Sequence, residues 1–247
     1  MKIQLTSFID GLSDKSRLDL TEKVINNSSA DVILFSGHTI GFVNDVERLE
    51  KVLKNRNTEV IFELENINSD KIDNSLYHIK NGRINNLYTN QIFTQSSEIE
   101  GNYQLADRFL HELETRRRIK INGLNFLVIQ CGEINILKNI QSKANKVQFR
   151  LKDDKELSER FKKIMSSADV IFNPIHTPMG NQGKMQKRRE FISAGNKYYF
   201  STSNTHANHA NLELKSLQYA FYNGNAFAES DILFEPKNSV SRTYIIK

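Results

Sequence analysis

The hexapeptide SSADVI occurs twice in this chain, as SSADVILFSGHT at 28–39 and as SSADVIFNPIHT at 166–177, and both copies end in His-Thr at the same spacing. A repeat of that kind constrains the fold, because equal segments in equal order should build equal structural units. In each copy the residues after the aspartate form a short continuous apolar run, Val32 to Phe35 and Val170 to Phe172. Runs of this length and composition suit strands covered on both faces rather than strands that face water. Each copy also follows a stretch of helical period, with Leu18, Leu20, Val24 and Ile25 before the first and Lys155 to Met165 before the second. The repeat therefore reads as helix, buried strand and turn, written once in each half.

The intervening sequence supports an α/β reading. Asn44 is placed to cap a helix running to Lys54 with Val46, Leu49, Val52 and Leu53 on one face, and Thr58 to Leu64 is a further strand. Ser75 to Ile79 and Ile84 to Tyr88 flank Asn81-Gly82, the pair that favours a type I′ hairpin turn, so the sheet is mixed. A helix near Leu105 to Leu113, a strand LNFLVIQC ending at Cys131, a helix at Lys187 to Asn196 and strands at Tyr198–Thr202, Asp231–Phe234 and Thr243–Ile246 complete the pattern. With 3 prolines and 11 glycines among 247 residues and no low-complexity tract, residues 1–247 are expected to form a single domain.

Composition removes several classes of function. Hydrophobic residues at 38% beside 26% charged describe a globular protein, and no apolar run approaches the roughly 20 residues needed to cross a bilayer. The start, MKIQLTSFIDGLSDKS, reaches polar residues too soon for an export signal. A single cysteine, Cys131, excludes an internal disulfide and suits a reducing, cytoplasmic location. The net charge of +5 is concentrated at Arg116–Lys120 and Gly183–Arg189 without interleaved aromatics, which argues for solvated surface and against a nucleic-acid partner.

Ligands of α/β sheets gather beyond the carboxyl ends of the strands, where Ser36–Thr39, Cys131–Glu133 and Pro174–Thr177 would meet. Both repeated turns bring a histidine, His38 and His176, to that end.

These residues resemble a known family. LNFLVIQCGEIN is similar to the nucleophile segment of the nitrilase or carbon–nitrogen hydrolase superfamily, in which a buried strand leads to cysteine, one residue and an acid, here Cys131, Gly132 and Glu133. SADVIFNPIHTP is similar to the family's strand ending in Asn-Pro, and Asn196 and Asn204 resemble its helix–strand unit with two spaced asparagines. The resemblance covers nearly the whole chain. It implies a four-layer αββα sandwich of two mixed sheets with internal pseudo-twofold symmetry, an expected homodimer, and hydrolysis or condensation of amides, nitriles and carbamoyl groups by a Cys-Glu-Lys triad. No cofactor is implied.

Two positions depart from the family pattern. Ser36-Gly37 stands where the family reads Pro-Glu, the glutamate being its general base, and Gln91 stands where NQIFTQSSE should supply lysine, with Glu98 at an accessory glutamate position. A shifted alignment puts Gln95 there instead and still leaves no lysine. A free thiol is largely protonated at neutral pH, so the missing base and cation need substitutes. His38, adjacent to the vacancy, is the first candidate base and His176 the second, with activity then rising through a histidine-like pKa near 6.5. Glu133 is a candidate orienting group, Gly132 a source of backbone donors to an oxyanion, and Arg188, with Arg189, a candidate contact to an anionic substrate. Glu63 and Glu65 are further acids, although strand-edge glutamates are commonly solvated. His206 and His209 share a helical spacing but lack the further ligands zinc requires, so no metal site is expected. The expected function is a cysteine-dependent hydrolase of a small amide, nitrile or carbamoyl compound with a rewired site. The alternative is a catalytically degenerate protein of the same fold that binds or scaffolds.

Overall fold

The structure is a computed structural model that describes residues 1–9, 11–66, 73–178, 180–205, 217–235 and 238–247. The first sheet has seven strands, and the elements of the first half lie in it or on it. These are β1 (Lys2–Phe8), α1 (Asp14–Asn27), β2 (Val32–Phe35), α2 (Val43–Val52), β3 (Glu59–Asn66), β4 (Asp73–Lys80) and β5 (Arg83–Asn90). Then follow α3 (Ser96–Ile99), α4 (Tyr103–Glu114), β6 (Arg118–Ile121), β7 (Leu124–Val128), a 3₁₀ turn at Cys131–Ile136 and a small hairpin of β8 (Leu137–Ile140) and β9 (Lys146–Phe149). The chain continues through α5 (Lys155–Ser166), β10 (Val170–Ile175), α6 (Gln182–Ser193), β11 (Tyr198–Ser203), β12 (Gln218–Tyr222) and β13 (Asn225–Ala226), and ends with β14 (Asp231–Glu235) and β15 (Ser239–Ile245). The second sheet has six strands, β13-β12-β11-β10-β7-β6, and the first reads β14-β15-β1-β2-β3-β4-β5.

The repeat marks the centre of each sheet. β2 runs parallel between β1 and β3, and β10 runs parallel between β7 and β11. Antiparallel strands flank each trio, β15 and β4 in one sheet and β6 and β12 in the other. The repeated aspartate explains why the same letters recur. Asp31 accepts from the Lys2 amide (2.7 Å) while its carbonyl accepts from the Glu59 amide (2.9 Å). Asp169 does the same for the Asn125 amide (2.8 Å) and the Tyr198 amide (2.9 Å). One aspartate, through its carboxylate on one side and its main-chain carbonyl on the other, thus fastens the starts of three parallel strands in each sheet, and the serines before it end the preceding helix.

The two sheets pack face to face through Leu5, Val32, Leu34, Ile61, Val128, Val170, Phe172 and Phe200. Helices α1 and α2 cover the outside of the first sheet through Leu18, Ile25 and Leu49. Helices α4, α5 and α6 cover the second through Phe109, Leu113, Phe161, Ile164 and Ile192. The molecule is a mixed α/β, four-layer αββα sandwich. Alternation along β2 sends Val32 and Leu34 inward and Ile33 and Phe35 outward, so the apolar run is buried on both sides. Each large side chain fully buried in this way stabilises the fold by about 1.5–3 kcal/mol.

The structure differs from the sequence reading at some boundaries. The Asn81-Gly82 turn has positive φ at both residues, 53° and 73°, as a type I′ turn requires. Helix α2 begins at Val43 with Phe42 in the cap position and no side-chain cap, so Asn44 lies inside the first turn. Helix α6 starts at Gln182, capped by Asn181, well before Lys187. Strand β7 stops at Val128, and Cys131 opens the following 3₁₀ turn instead of ending the strand. His206 and His209 lie outside the described residues.

Candidate active site

The site lies where β2, β3, β7 and β10 end. Past β7 the chain turns into the 3₁₀ segment that begins with Cys131, and the Ile129 amide still donates to Phe172 of β10 (2.9 Å). Asn173 holds this exit in place: its Nδ2 donates to the carbonyls of Ile129 (2.6 Å) and Cys131 (3.5 Å), and its Oδ1 accepts from the Tyr199 hydroxyl (2.8 Å). A buried amide with both ends bonded orients its partners rigidly. Cys131 itself is buried, with 9% of its surface exposed, which leaves an edge of the residue open to solvent.

His176, directly after β10, lies close enough to Cys131 for the sulfur to raise its pKa. Its Nε2 lies 2.8 Å from Oε2 of Glu63, and the other carboxylate oxygen of Glu63 accepts from Gln130 Nε2 at 2.9 Å. Cys131 therefore lies beside a bonded His176–Glu63 pair, and Gln130, the residue before the cysteine, holds the same carboxylate. Glu63 has no exposed surface. Burial works to raise its pKa, but His176 and Gln130 together hold its carboxyl below the usual range. Burial alone would lower the His176 pKa; Glu63 and Cys131 override it and push the imidazole up to about 10. The ring is thus an imidazolium through neutral pH, not a base titrating near 6.5.

His38 stacks on His176 with ring centroids 3.6 Å apart and planes 21° from parallel, and its Nδ1 sits 3.4 Å from Oε2 of Glu65. The two repeated turns therefore meet across the sandwich, as the Gly37 amide also shows by donating to the Ile175 carbonyl (3.0 Å). His38 adopts φ of 56° and its carbonyl accepts from Arg17. The histidine whose pKa the thiol raises is the second-ranked candidate, His176, and His38 stacks on its ring. Asn204 ties the turns together, accepting from the Phe8 amide (3.0 Å) and the Ser36 hydroxyl and donating to the Gly37 carbonyl (2.8 Å).

The remaining candidates are placed as follows. Glu133 is completely buried, ion-paired with Arg117 and bonded by the amides of Ile92 (2.6 Å) and Gln130 (2.9 Å), so its oxygens anchor the turn that carries Cys131 instead of reaching toward the thiol. Gly132 packs against the 91–95 loop: a Cβ there would lie 2.0 Å from the Thr94 carbonyl oxygen. Close backbone approach is thus what this glycine provides. Gln91 donates to the Phe93 carbonyl (3.0 Å) and Thr94 Oγ1 (3.1 Å), within its own loop. Glu98 caps α3 by accepting from the amides of Thr94 (2.8 Å) and Gln95 (2.5 Å). Arg188 bonds Asn139 (2.8 Å) and Asn135 (2.7 Å), and burial, with Arg150 nearby, pulls its pKa down to about 10. Among the described residues no cluster of three or more His, Cys, Asp or Glu is arranged to hold a metal, and no helix is long and apolar enough to cross a membrane.

Sequence reasoning set Glu63 aside as a solvated strand glutamate, and the structure overturns that. The signal was present in the alternation of β3, where Val60, Phe62 and Leu64 face the helices while Ile61 points between the sheets. Glu63 shares the face of Ile61, so an acid is aimed into the sandwich, where burial demands a partner.

The same arrangement of layers recurs in solved structures. Across 98% of this chain and 90% of the other, at 10% identity and TM-score 0.54, it is similar to XC1258 from Xanthomonas campestris, a CN-hydrolase superfamily protein. The fold is that of the carbon–nitrogen hydrolases. A mutant of the amidase from Nesterenkonia sp. AN1 in complex with butyramide matches over 99% of this chain and 90% of that one, at 11% identity and TM-score 0.56. A glutamine-dependent NAD(+) synthetase from Cytophaga hutchinsonii matches 92% of this chain but 40% of its own, at 11% identity and TM-score 0.50. No family model matches the sequence, and no curated protein matches it. On this carbon–nitrogen hydrolase fold, the position where the resemblance calls for the general base is Gly37, and its side-chain volume is taken: a Cβ there would fall 2.0 Å from His176 Cδ2 and 3.0 Å from Glu63 Oε2.

Proposed function

We propose that this protein is a cysteine hydrolase that cleaves a carbon–nitrogen bond of a small amide, nitrile or carbamoyl compound, using Cys131, His176 and Glu63. The observation that carries the reading is the cluster of thiol, imidazole and buried carboxylate, in which the His176 ring fills the place a side chain on Gly37 would occupy and is held there by Glu63 of β3. The acid has moved one strand over, and a histidine stands between it and the sulfur.

For an amide the chemistry follows from these positions. An imidazolium beside a thiol favours the thiolate, which is the nucleophile. Cys131 Sγ attacks the carbonyl carbon and the C–O π electrons move to oxygen. Collapse of the tetrahedral species breaks the C–N bond, and the leaving amine takes its proton from His176, giving a thioester and a neutral imidazole. The imidazole, held by Glu63, then takes a proton from water as the water attacks the thioester, releasing the carboxylic acid and restoring the starting pair. Glu63 keeps the imidazole oriented and stabilises its charged form, the role of the acid in other nucleophile–histidine–acid triads.

Support also comes from the amidase, a variant of which shows covalent addition of the acetamide moiety of fluoroacetamide at its active site cysteine. We extend the reading to a cytoplasmic homodimer, on the family resemblance and the single cysteine. Release of ammonia or amine from a panel of small amides, nitriles and carbamoyl compounds is the test. Turnover by the wild type that is lost in Cys131→Ala supports the reading, whereas equal background with both proteins favours a binding or scaffolding protein.

A further inference from the structure

A second cleft lies at the β12–β13 edge of the second sheet, and Cys131, His176 and Glu63 are not among its lining residues. Among the described residues β13 pairs only with Phe221 and Tyr222, and the start of β12 stands beside this cleft of about 330 Å³. Arg189 of α6 enters it from one side, its guanidinium carbon 3.5 Å above the Tyr219 ring, and donates to Gln182 Oε1 at 3.1 Å. Arg242 of β15 enters from the other, 3.9 Å from Glu229 and hydrogen-bonded to Tyr244. Both arginines are more than nine-tenths buried, with 2% and 4% of their surface exposed. Among the described residues, the Nε of each has no hydrogen-bond partner, and neither does Oε1 of the equally buried Gln218.

Among the described residues, the charges lining the cleft are these two guanidinium groups and the Glu229 carboxylate, an excess of one positive charge in a buried setting. Guanidinium groups taken out of water need a partner or carry a desolvation penalty of several kcal/mol each. The planar fork of arginine matches a carboxylate, and the rings of Tyr219, Phe227 and Tyr244 offer flat apolar walls. We propose that this cleft binds a small organic monoanion, a carboxylate on a flat apolar body. Gln218 Oε1 is an acceptor available to a hydroxyl or amine on that body. The site stands whether or not Cys131 is reactive, because it shares no residue with the thiol cluster.

The test is calorimetric titration of the full chain with benzoate, its neutral analogue benzamide and inorganic phosphate. Benzoate should bind the wild type, and Arg242→Gln should weaken it by about tenfold or more, the loss of a charge-assisted bond. Glu229→Gln, which removes the competing carboxylate, should tighten it. A gain of affinity cannot come from damage to the fold, so this variant keeps the proposal falsifiable if Arg242→Gln misfolds. Benzamide and phosphate should both bind more weakly than benzoate. No benzoate binding at millimolar concentration, equal affinity for benzamide, tighter binding of phosphate, or affinity unmoved by both substitutions would each overturn the proposal. So would binding abolished by Cys131→Ala and unchanged in Arg242→Gln, which would put the anion at the thiol.

Discussion

His176 occupies the space in front of Gly37: a Cβ on residue 37 would lie 2.0 Å from the ring Cδ2, closer than any carbon contact tolerates. The glycine and the histidine are therefore one device, since the imidazole can stand between Glu63 and Cys131 only while position 37 has no side chain. Gly37→Ala should swing the ring away from Glu63. Turnover should fall by about 10²–10³-fold, the loss of one well-placed catalytic donor, with a stability loss of about 1–3 kcal/mol from overpacking. Amide hydrolysis and urea denaturation of the same variant check both, and wild-type turnover would show that the ring position is irrelevant.

Glu63→Gln keeps the shape and the contact with Gln130 but removes the charge that raises His176. The wild-type imidazole, pushed up to about 10, should keep its proton across neutral pH and give hydrolysis that declines only as pH approaches that value. In the variant only Cys131 still opposes burial, so the decline should move to lower pH. A pH–rate profile of each protein reads the shift, and superimposable profiles would remove Glu63 from the cluster.

The same pair sets a pH dependence of stability. His176 is raised on folding, so its contribution is complete below 6.5 and is lost as pH rises toward about 10. Glu63 is lowered, so its contribution is present above 4.5 and is lost as pH falls below that value. The stability advantage of the wild type over His176→Gln should accordingly be largest between pH 5 and 6 and shrink toward pH 10. Urea midpoints at a series of pH values decide it; an advantage that grows with pH has the wrong sign for an imidazolium.

The repeat also makes a quantitative prediction. Asp31 and Asp169 make equivalent bonds at the starts of two separate strand trios, so Asp31→Ala and Asp169→Ala should each destabilise by about 0.5–1.5 kcal/mol and the double variant by their sum. Urea denaturation of the four proteins tests this, and strong non-additivity would mean that the two units are not independent.

Much of this fold was legible because its rules are local. The SSADVI segments announce themselves by composition, and Asn81-Gly82 dictates its own turn. β1 was not recognised because KIQLTSF mixes polar and apolar residues, its polar side chains Gln4, Thr6 and Ser7 being buried against Ser241 and Thr202 from distant strands. The site divided the same way. Cys131 and the paired histidines followed from sequence order, whereas the choice of His176 over His38 depends on which turn reaches the sulfur across the sandwich. Glu133 looked catalytic by adjacency, but Arg117, which satisfies it, is contributed by the chain before β6. Partners brought together by folding are invisible to spacing.

The central claim, that His176 activates Cys131, is tested most directly by the rate at which the native protein is alkylated. With a single cysteine in the chain, mass spectrometry after iodoacetamide treatment at pH 7 reports Cys131 alone. The account predicts rapid labelling of the folded wild type and labelling slower by about tenfold or more in His176→Gln, because the imidazolium that favours the thiolate is gone. Equal rates in the two folded proteins, or labelling of the wild type only after denaturation, would contradict it.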